Sequence, residues 1–421
     1  MLDLKFIREN IELVRQNIIN KNEKANIDEI TNLDAERRRI IGEVEKLKNV
    51  RNVVSREIAE LKKQKIDADD KIAEMKTVAD QIKELDEQLS NFENDIYKVL
   101  ARIPNMVASM VPVGKSADDN KVVRTWSQKT NSKCNKNHID IAKSLNIIDF
   151  ERGAKVSGGG FAFYRGRGAK LERALISFMI DYHLDNHGYT ELLPPFIVNE
   201  NSMFGTGQLP KMSEDMYYAQ EDKMYLIPTA EVPLTNFHNG EILNGAELPI
   251  KYCGYSPCFR REAGSYGKDV RGFLRVHQFN KVEMVNFTKP EESPEQLEKL
   301  LNEAEDIVKA LGLHYRILLL CSGDTSFASA ITYDIEVWSP GEQMWLEVSS
   351  CSSFTDFQAR RANIRFKREP SSKPEFVHTL NGSGLATSRI MVAMLEQYTD
   401  EQGVFHVPDA LKSYCGFDTI T

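Results

Sequence analysis

Arg260 and Glu262 stand two apart in Pro257-Cys-Phe-Arg-Arg-Glu-Ala-Gly264, and Arg275, Phe279 and Glu283 follow in Leu274-Arg-Val-His-Gln-Phe-Asn-Lys-Val-Glu283. A guanidinium on a strand can grip a phosphate through a fork of hydrogen bonds. A carboxylate two residues on shares its face and can accept from an exocyclic amine, and an aromatic ring can stack on a base. Those residue types in that order suit a purine nucleoside triphosphate held without a phosphate loop. Downstream, Asn381-Gly-Ser-Gly-Leu-Ala-Thr-Ser-Arg389 brings a third arginine to the head of an apolar helix, with glycines expected to let the backbone approach a ligand. Between these runs, Trp345-Leu-Glu-Val-Ser-Ser-Cys-Ser-Ser353 supplies Glu347 and Ser350, hard oxygen donors suited to Mg2+ shared with phosphates. Arg260, Arg275 and Arg389 are the candidate catalytic groups, acting by orientation and charge neutralisation. A lone Arg-x-Glu pair is normally a surface ion pair of little weight. Here it is followed in order by a glycine-bounded loop from Gly264 to Gly272, an aromatic strand and the glycine–arginine run.

These residues need a scaffold of strands. Pro257–Gly264 and Leu274–Glu283 read as two strands joined by a long turn, and Trp345–Ser353 as a third. Lys170 to Leu184 carries apolar residues on one broad helical face until Gly188 caps it, and Tyr189-Thr-Glu-Leu-Leu-Pro-Pro195 continues as a strand. The class this predicts is α+β, an antiparallel sheet flanked by helices.

Residues 27–102 are different in kind. Apart from Gly42 they hold neither glycine nor proline, and apolar residues recur at spacings of three and four. Leu33, Ile40, Val44, Leu47, Val54, Ile58 and Leu61 form one seam. Ile72, Met75, Val78, Ile82, Leu85, Leu89, Phe92, Ile96 and Val99 form a second. The polar run Lys62–Asp70 between them can reverse the chain, which predicts an antiparallel coiled-coil hairpin. At about 1.5 Å per residue each helix would reach on the order of 50 to 60 Å. Lys46, Lys48, Arg51, Arg56, Lys62, Lys63 and Lys65 crowd its distal half against Glu57 and Glu60. That bias suits a phosphate backbone, and the scarcity of aromatics near the tip favours a double-stranded stem over stacked single strands. Ile103-Pro104-Asn105 stops the second helix. The expected division is therefore 1–105 as a nucleic-acid-binding helical domain and 106–421 as a catalytic domain, with a linker at about 103–126.

The chain has 421 residues and a net charge of −8, which disfavours a uniformly basic nucleic-acid coat but permits a local basic surface. Six scattered cysteines without a CxxC pair point to reduced thiols and no structural zinc. No apolar run approaches the roughly 20 residues needed to span a membrane, and Met1–Arg8 lacks the apolar core of a signal peptide. A cytoplasmic protein without a membrane partner is expected. Three tempting motifs fail on what surrounds them. Gly114-Lys115-Ser116 has Ser109 where a phosphate loop needs glycine; His183 and His187 have no third ligand beside them; Gly158-Gly-Gly160 and Gly166-Arg-Gly168 read as turns.

Taken together, these words in this order resemble the bacterial-type seryl-tRNA synthetases, a class II family. The resemblance runs from Met1-Leu-Asp-Leu-Lys-Phe-Ile-Arg-Glu-Asn10 to the last helix. It includes Val111-Pro-Val-Gly114, Gly205-Thr-Gly-Gln-Leu-Pro-Lys211, Pro228-Thr-Ala-Glu-Val-Pro-Leu234, Glu347-Val-Ser-Ser350 and His378-Thr-Leu-Asn-Gly-Ser-Gly384. It implies a serine site at Thr229, Ala230, Glu231, Glu283 and Ser383. It also implies ATP contacts at Arg260, Arg261, Glu262, Phe279, Glu347, Val348, Ser349, Ser350 and Arg389, with Mg2+ on Glu347 and Ser350. Further implications are a homodimer built on the helix and strand around Tyr189, an arm that grips the long variable limb of tRNA(Ser), and room for tRNA(Sec) as a second partner. The implied reaction joins L-serine to ATP as seryl-adenylate with release of pyrophosphate, then passes serine to the 3′ end of tRNA. Ile331, where lysine is frequent, and Gly159-Gly160, in place of a more polar pair, depart from the family pattern.

Overall fold

A computed structural model describes residues 1–127, 136–263 and 272–421. Cys134 and the turn from Gly264 to residue 271 lie outside the described residues. The chain divides into two compact units, Leu2–Ile19 with Glu23–Pro104, and Met1, Asn20–Asn22 with Asn105–Thr421.

In the first unit, helices α1 (Leu4–Glu9) and α2 (Ile11–Asn20) precede a hairpin of α3 (Ile27–Lys63) and α4 (Asp69–Leu100). Asn26 caps α3 by accepting from the Glu29 N–H at 3.3 Å. Asp28 and Glu29 sit in its first turn and Lys62 and Lys63 in its last, each matched to the helix dipole. Ile40, Val44, Val78, Ile82 and Ile96 are buried along the facing seams. Ile72, placed in the second seam by its spacing, is instead 40% exposed. It lies in the first turn of α4, beside the reversal, where the two helices have only begun to meet. Arg37–Glu93 (3.1 Å), Lys48–Asp86 (3.5 Å) and Lys71–Glu57 pair the helices across the seam. All six side chains are partly solvated, so these pairs set register more than they stabilise.

The second unit is built on a sheet of eight strands: β1 (Lys121–Trp126), β2 (Thr190–Glu191), β3 (Ile250–Phe259), β4 (Gln278–Thr288), β5 (Tyr315–Leu319), β6 (Ile331–Ser339), β7 (Met344–Ser353) and β8 (His378–Ala386). Their spatial order is β1-β5-β6-β7-β8-β4-β3-β2. All neighbours run antiparallel except β2 and β3. The stretch expected as linker thus ends in an edge strand, since Lys121–Trp126 pairs with β5. Helices α5 (Arg167–His187), α6 (Glu231–Asn236), α7 (Ser293–Ala310), α8 (Phe357–Ala362) and α9 (Thr387–Tyr398) complete the frame. α5, α7 and α9 share one apolar cluster with Val282, Met284, Ile317, Ile335 and Leu380 of the sheet. Because strand side chains alternate, burying Val282 and Met284 there turns Phe279, Lys281 and Glu283 to the other face. Gly188 ends α5 in the left-handed region, at φ 69°. Cys253, Cys258, Cys321, Cys351 and Cys415 are buried free thiols. Among the described residues no helix is long and apolar enough to cross a membrane.

The Asn381–Gly384 run departs from expectation. It lies in strand β8, and its glycines, expected to let the backbone approach a ligand, face away from the cavity. A Cβ on Gly382 would lie 2.4 Å from Leu300 Cδ2, and one on Gly384 would lie 2.4 Å from His183 Nε2. They admit core side chains behind the sheet, while Asn381 and Ser383, which alternate with them, face forward.

Candidate active site

A cavity of about 770 Å³ opens on the face of the sheet opposite α7 and α9. Thr229, Glu231, Arg260, Glu262, Arg275, Phe279, Glu283, Glu347, Val348, Ser350, Ser383 and Arg389 all line it. Three residues expected with them do not. Ala230 is fully buried among Leu234, Val285 and Phe287. Arg261 is exposed, and its N–H donates to the Asp215 carbonyl at 2.9 Å. Ser349 points behind the sheet and donates to the Ser383 carbonyl at 2.6 Å.

Part of the cavity lining is a polar nest around two acids. Thr229 donates to Glu283 Oε2 at 2.9 Å, and Asn381 donates to Oε1 at 3.1 Å. Lys281 forms an ion pair with the same carboxylate. Glu231 accepts from Gln358 Nε2 at 2.7 Å, and Thr379 donates to Gln358 Oε1 at 2.7 Å, which fixes the amide's orientation. Burial, then the nearby Glu283 carboxylate, pushes the Glu231 carboxyl up to about 7. The two acids thus differ in kind: Glu283 has a cation beside it, while Glu231 has a neutral amide. Lys281 and Asn381 are absent from the residues expected on sequence grounds. Lys281 has a signal there, since it lies between Phe279 and Glu283 on one face of the same strand.

Three arginines line the same cavity. β3 stops at Phe259 and β4 starts only at Gln278, so Arg260, Glu262 and Arg275 reach the cavity from the ends of the strands and not by alternation along them. Glu262 adopts φ 52°, and its carboxylate pairs with Arg275. The Arg260 guanidinium lies 5.2 Å from the Phe279 ring centroid, with Nε donating to the Pro228 carbonyl at 3.3 Å. Arg389 donates to the Leu274 carbonyl at 3.2 Å and to the Glu347 carbonyl at 3.0 Å.

Strict alternation would separate Glu347 from Ser350, because they are three apart. A bulge prevents this: Ile335 pairs with Ser349 but Glu336 pairs with Glu347, leaving Val348 as the extra residue. Both oxygen donors therefore face the cavity. A second shift pairs Lys281 with Ala386 and Glu283 with Ser383, which lets Ser383 and Ala386 share the cavity face. Asp334, opposite Ser350 and unmarked in the sequence, also lines the cavity. Burial and then the Glu347 carboxylate hold its carboxyl well above the usual range. Its Oδ1 has no hydrogen-bond partner among the described residues. Hard oxygens crowded together with one buried lone-pair set unmet fit a divalent cation at Glu347 and Ser350.

His183 and His187, whose spacing alone suggests a metal pair, serve the sheet. Their Nδ1 atoms lie 2.9 Å apart, and His183 Nε2 donates to the Gly384 carbonyl at 3.1 Å. Burial pushes His183 down to about 3, so it stays neutral. Ile331 packs in the core at the start of β6, and the Gly160 carbonyl accepts from the His277 N–H at 3.0 Å.

A family model described as "Seryl-tRNA synthetase N-terminal domain" matches residues 1–107. Another, described as "tRNA synthetase class II core domain (G, H, P, S and T)", matches residues 215–398. The chain is 54% identical over 427 residues to a serine–tRNA ligase of Chloroherpeton thalassium, covering 100% of both. It is 52% identical over 421 residues to that of Carboxydothermus hydrogenoformans, covering 100% of this chain and 99% of the relative. Among solved structures, the seryl-tRNA synthetase of Pyrococcus horikoshii complexed with ATP superposes with a TM-score of 0.94 at 38% identity, over 100% of this chain and 99% of that one.

Proposed function

The chain belongs to the seryl-tRNA synthetases, class II aminoacyl-tRNA ligases, and on that premise we propose how its residues divide the work of joining serine to tRNA. The observation that carries the reading is one cavity lined both by the buried acids Glu231 and Glu283 and by the arginines Arg260, Arg275 and Arg389. In the first step the carboxylate of serine attacks the α-phosphorus of ATP, a P–O bond forms, and pyrophosphate leaves with the electron pair of the broken bond. No protein nucleophile is required. Arg260 grips the α-phosphate, Arg275 the outer phosphates, Arg389 adds its charge to theirs, and Phe279 stacks on the adenine, whose amino group donates to Glu262. Positioning and charge neutralisation therefore carry the catalysis. Glu347 and Ser350 would hold Mg2+, which supplies further neutralisation of phosphate charge when bound.

Glu283, with Lys281 and Thr229 to hold it, is the partner for the ammonium of serine. Glu231, whose carboxyl titrates near neutrality, is the partner for the hydroxyl. A buried partner for that hydroxyl discriminates strongly against alanine, because alanine leaves it unpaired; the general scale is roughly 10⁴ to 10⁵. In the second step the 3′-terminal hydroxyl of tRNA attacks the adenylate carbonyl and AMP departs. The hairpin of α3 and α4 binds tRNA(Ser), and tRNA(Sec) where that molecule presents a similar limb. A cytoplasmic homodimer is part of the same proposal, formed through α5 and the segment after it, where Leu193 is 75% exposed.

The test is aminoacylation of total bacterial tRNA with labelled serine beside threonine, alanine and glycine, with ATP–pyrophosphate exchange on the same preparation. Serine-specific charging is expected. Exchange without charging would move the reading toward a ligase acting on another carrier, and silence in both assays would end it.

Glu231 also makes a prediction about stability. Its carboxyl moves from an ordinary 4.5 to about 7 in the folded protein, so the folded state holds that proton more tightly than the unfolded chain. Its contribution is greatest below about pH 4.5 and is lost as pH rises through about 7. E231Q keeps the Gln358 hydrogen bond and removes the titration. The unfolding free energy of the parent minus that of E231Q should fall by on the order of 3 kcal/mol across this range. A flat difference in denaturant titrations would refute the assignment.

A further inference from the structure

His138, Glu342 and Glu396 converge as a metal site would, with one ligand atom from each lying within 4.8 Å of the others. The hydrogen-bond pattern argues for a different role. The Phe273 N–H donates to His138 Nε2 at 3.2 Å, so Nε2 is bare and the ring proton sits on Nδ1. Nδ1 in turn faces Glu396 Oε1 and Glu342 Oε1, each at 3.3 Å. A nitrogen carrying a proton has no lone pair for a metal. His138 and the Glu396 side chain are fully buried. Glu396 also accepts from the His138 N–H at 2.9 Å, the Gly341 N–H at 2.9 Å and the Ser339 hydroxyl. Burial alone would raise its carboxyl, but these hydrogen bonds hold it below the ordinary value and keep it ionised. A carboxylate behind an imidazole fixes the tautomer and strengthens the far nitrogen as an acceptor.

That acceptor meets the backbone at a sensitive place. Phe273 stacks on Tyr164 at 5.2 Å and meets Phe150 edge-on at 5.1 Å. The next carbonyl, of Leu274, accepts from Arg389, and the residue after that is Arg275. Gly272 comes just before, at φ 60°, where a Cβ would lie 2.1 Å from His138 Nε2. One helix thus acts on the segment twice. Arg389 reaches it from the first turn of α9, and Glu396, seven residues on and so on the same face, reaches it through His138.

We propose that Glu396 and His138 are a positioning pair that fixes the Phe273 peptide and thereby aims Arg275 at the triphosphate of ATP. This rests on the role given to Arg275 above. The test is pyrophosphate exchange by the full-length H138L, H138Q, E396Q and R275A proteins, with ATP and serine varied in turn. H138L strands the Phe273 N–H, whereas H138Q offers an amide oxygen in its place. H138L should raise KM for ATP about tenfold, the scale of a lost buried hydrogen bond, while KM for serine stays within about twofold. H138Q should recover most of that loss, and E396Q should move KM for ATP in the same direction as H138L. Equal rises in both KM values, or H138Q no better than H138L, would overturn the proposal. So would a stoichiometric metal, found by mass spectrometry in the parent and absent from the variants. If H138L does not fold, E396Q decides by the same comparison of the two KM values. An unchanged KM for ATP in R275A would instead sink the role of Arg275; a raised one beside a normal H138L would sink only the positioning pair.

Discussion

Replacing Arg260 by alanine should lower serine-dependent pyrophosphate exchange by roughly 10³-fold, the scale of losing a preorganised charge donor to a transferring phosphoryl group, and should leave the protein folded. The second half of that expectation follows from what the side chain does without substrate. Its Nε donates to one carbonyl at 3.3 Å, and its guanidinium lies 5.2 Å from the Phe279 centroid. Each interaction is worth about 1 kcal/mol or less at a partly solvated site. The backbone pairing that places the residue, from the Arg260 N–H to the His277 carbonyl at 3.0 Å, does not involve the side chain. The melting temperature should therefore fall by only a few degrees. The loss in rate has no such compensation, because water admitted to the space screens charge but does not aim it. R260K tests that distinction: it restores a positive charge without the planar fork, so it should recover only part of the rate. Exchange by R260A within tenfold of the parent, in a protein whose circular dichroism is unchanged, would remove Arg260 from the reacting phosphate.

The arginines and acids of this site are legible in the sequence because their types are rare in such order. Their geometry is only half legible. Alternation explains Phe279 and Glu283, and the same rule puts Lys281 between them. It cannot explain Glu347 and Ser350, which share a face only because Val348 is bulged out, and a bulge has no signature in a run such as Leu-Glu-Val-Ser-Ser. Asp334 is invisible for a related reason. Its place opposite Ser350 depends on the register of β6 against β7, which the short connection between Ser339 and Met344 does not announce in its residue types. Ala230, Arg261 and Ser349 show the converse, that belonging to a motif does not by itself mean facing the ligand. Alternation turns Ser349 behind the sheet, burial in a separate apolar cluster takes Ala230, and Arg261 lies past the end of its strand. The hairpin is the most legible element, because two uninterrupted helical seams with one polar break admit few other folds.

Deleting residues 30–100 should reduce charging of tRNA by roughly 10³-fold or more while pyrophosphate exchange stays near the parent level. The cavity residues all belong to the unit that holds Asn105–Thr421, so the chemistry of adenylate formation loses none of its groups. What the deletion removes is a basic surface. Lys46, Arg51, Arg56, Lys62, Lys63 and Lys65 are exposed on or just beyond α3, whereas Lys48 is spent in part on Asp86. Glu57, which in sequence offsets the run, is engaged by Lys71. The two pairings offset one another, one withdrawing a cation and the other an acid, so the surplus of positive charge read from the sequence persists in the fold. Each cation set against a phosphate releases counterions, so binding should weaken steeply with salt. This yields a gentler version of the same test. Changing those six residues to alanine leaves the buried seam of Ile40, Val44, Val78 and Ile82 intact, so the hairpin should keep its helicity. The logarithmic dependence of tRNA affinity on salt should become shallower by up to about 6, near one for each phosphate that is no longer neutralised. K48A alone should change the slope little. Full charging by the truncated protein, or an unchanged salt slope in the sixfold variant, would place tRNA recognition elsewhere on the chain.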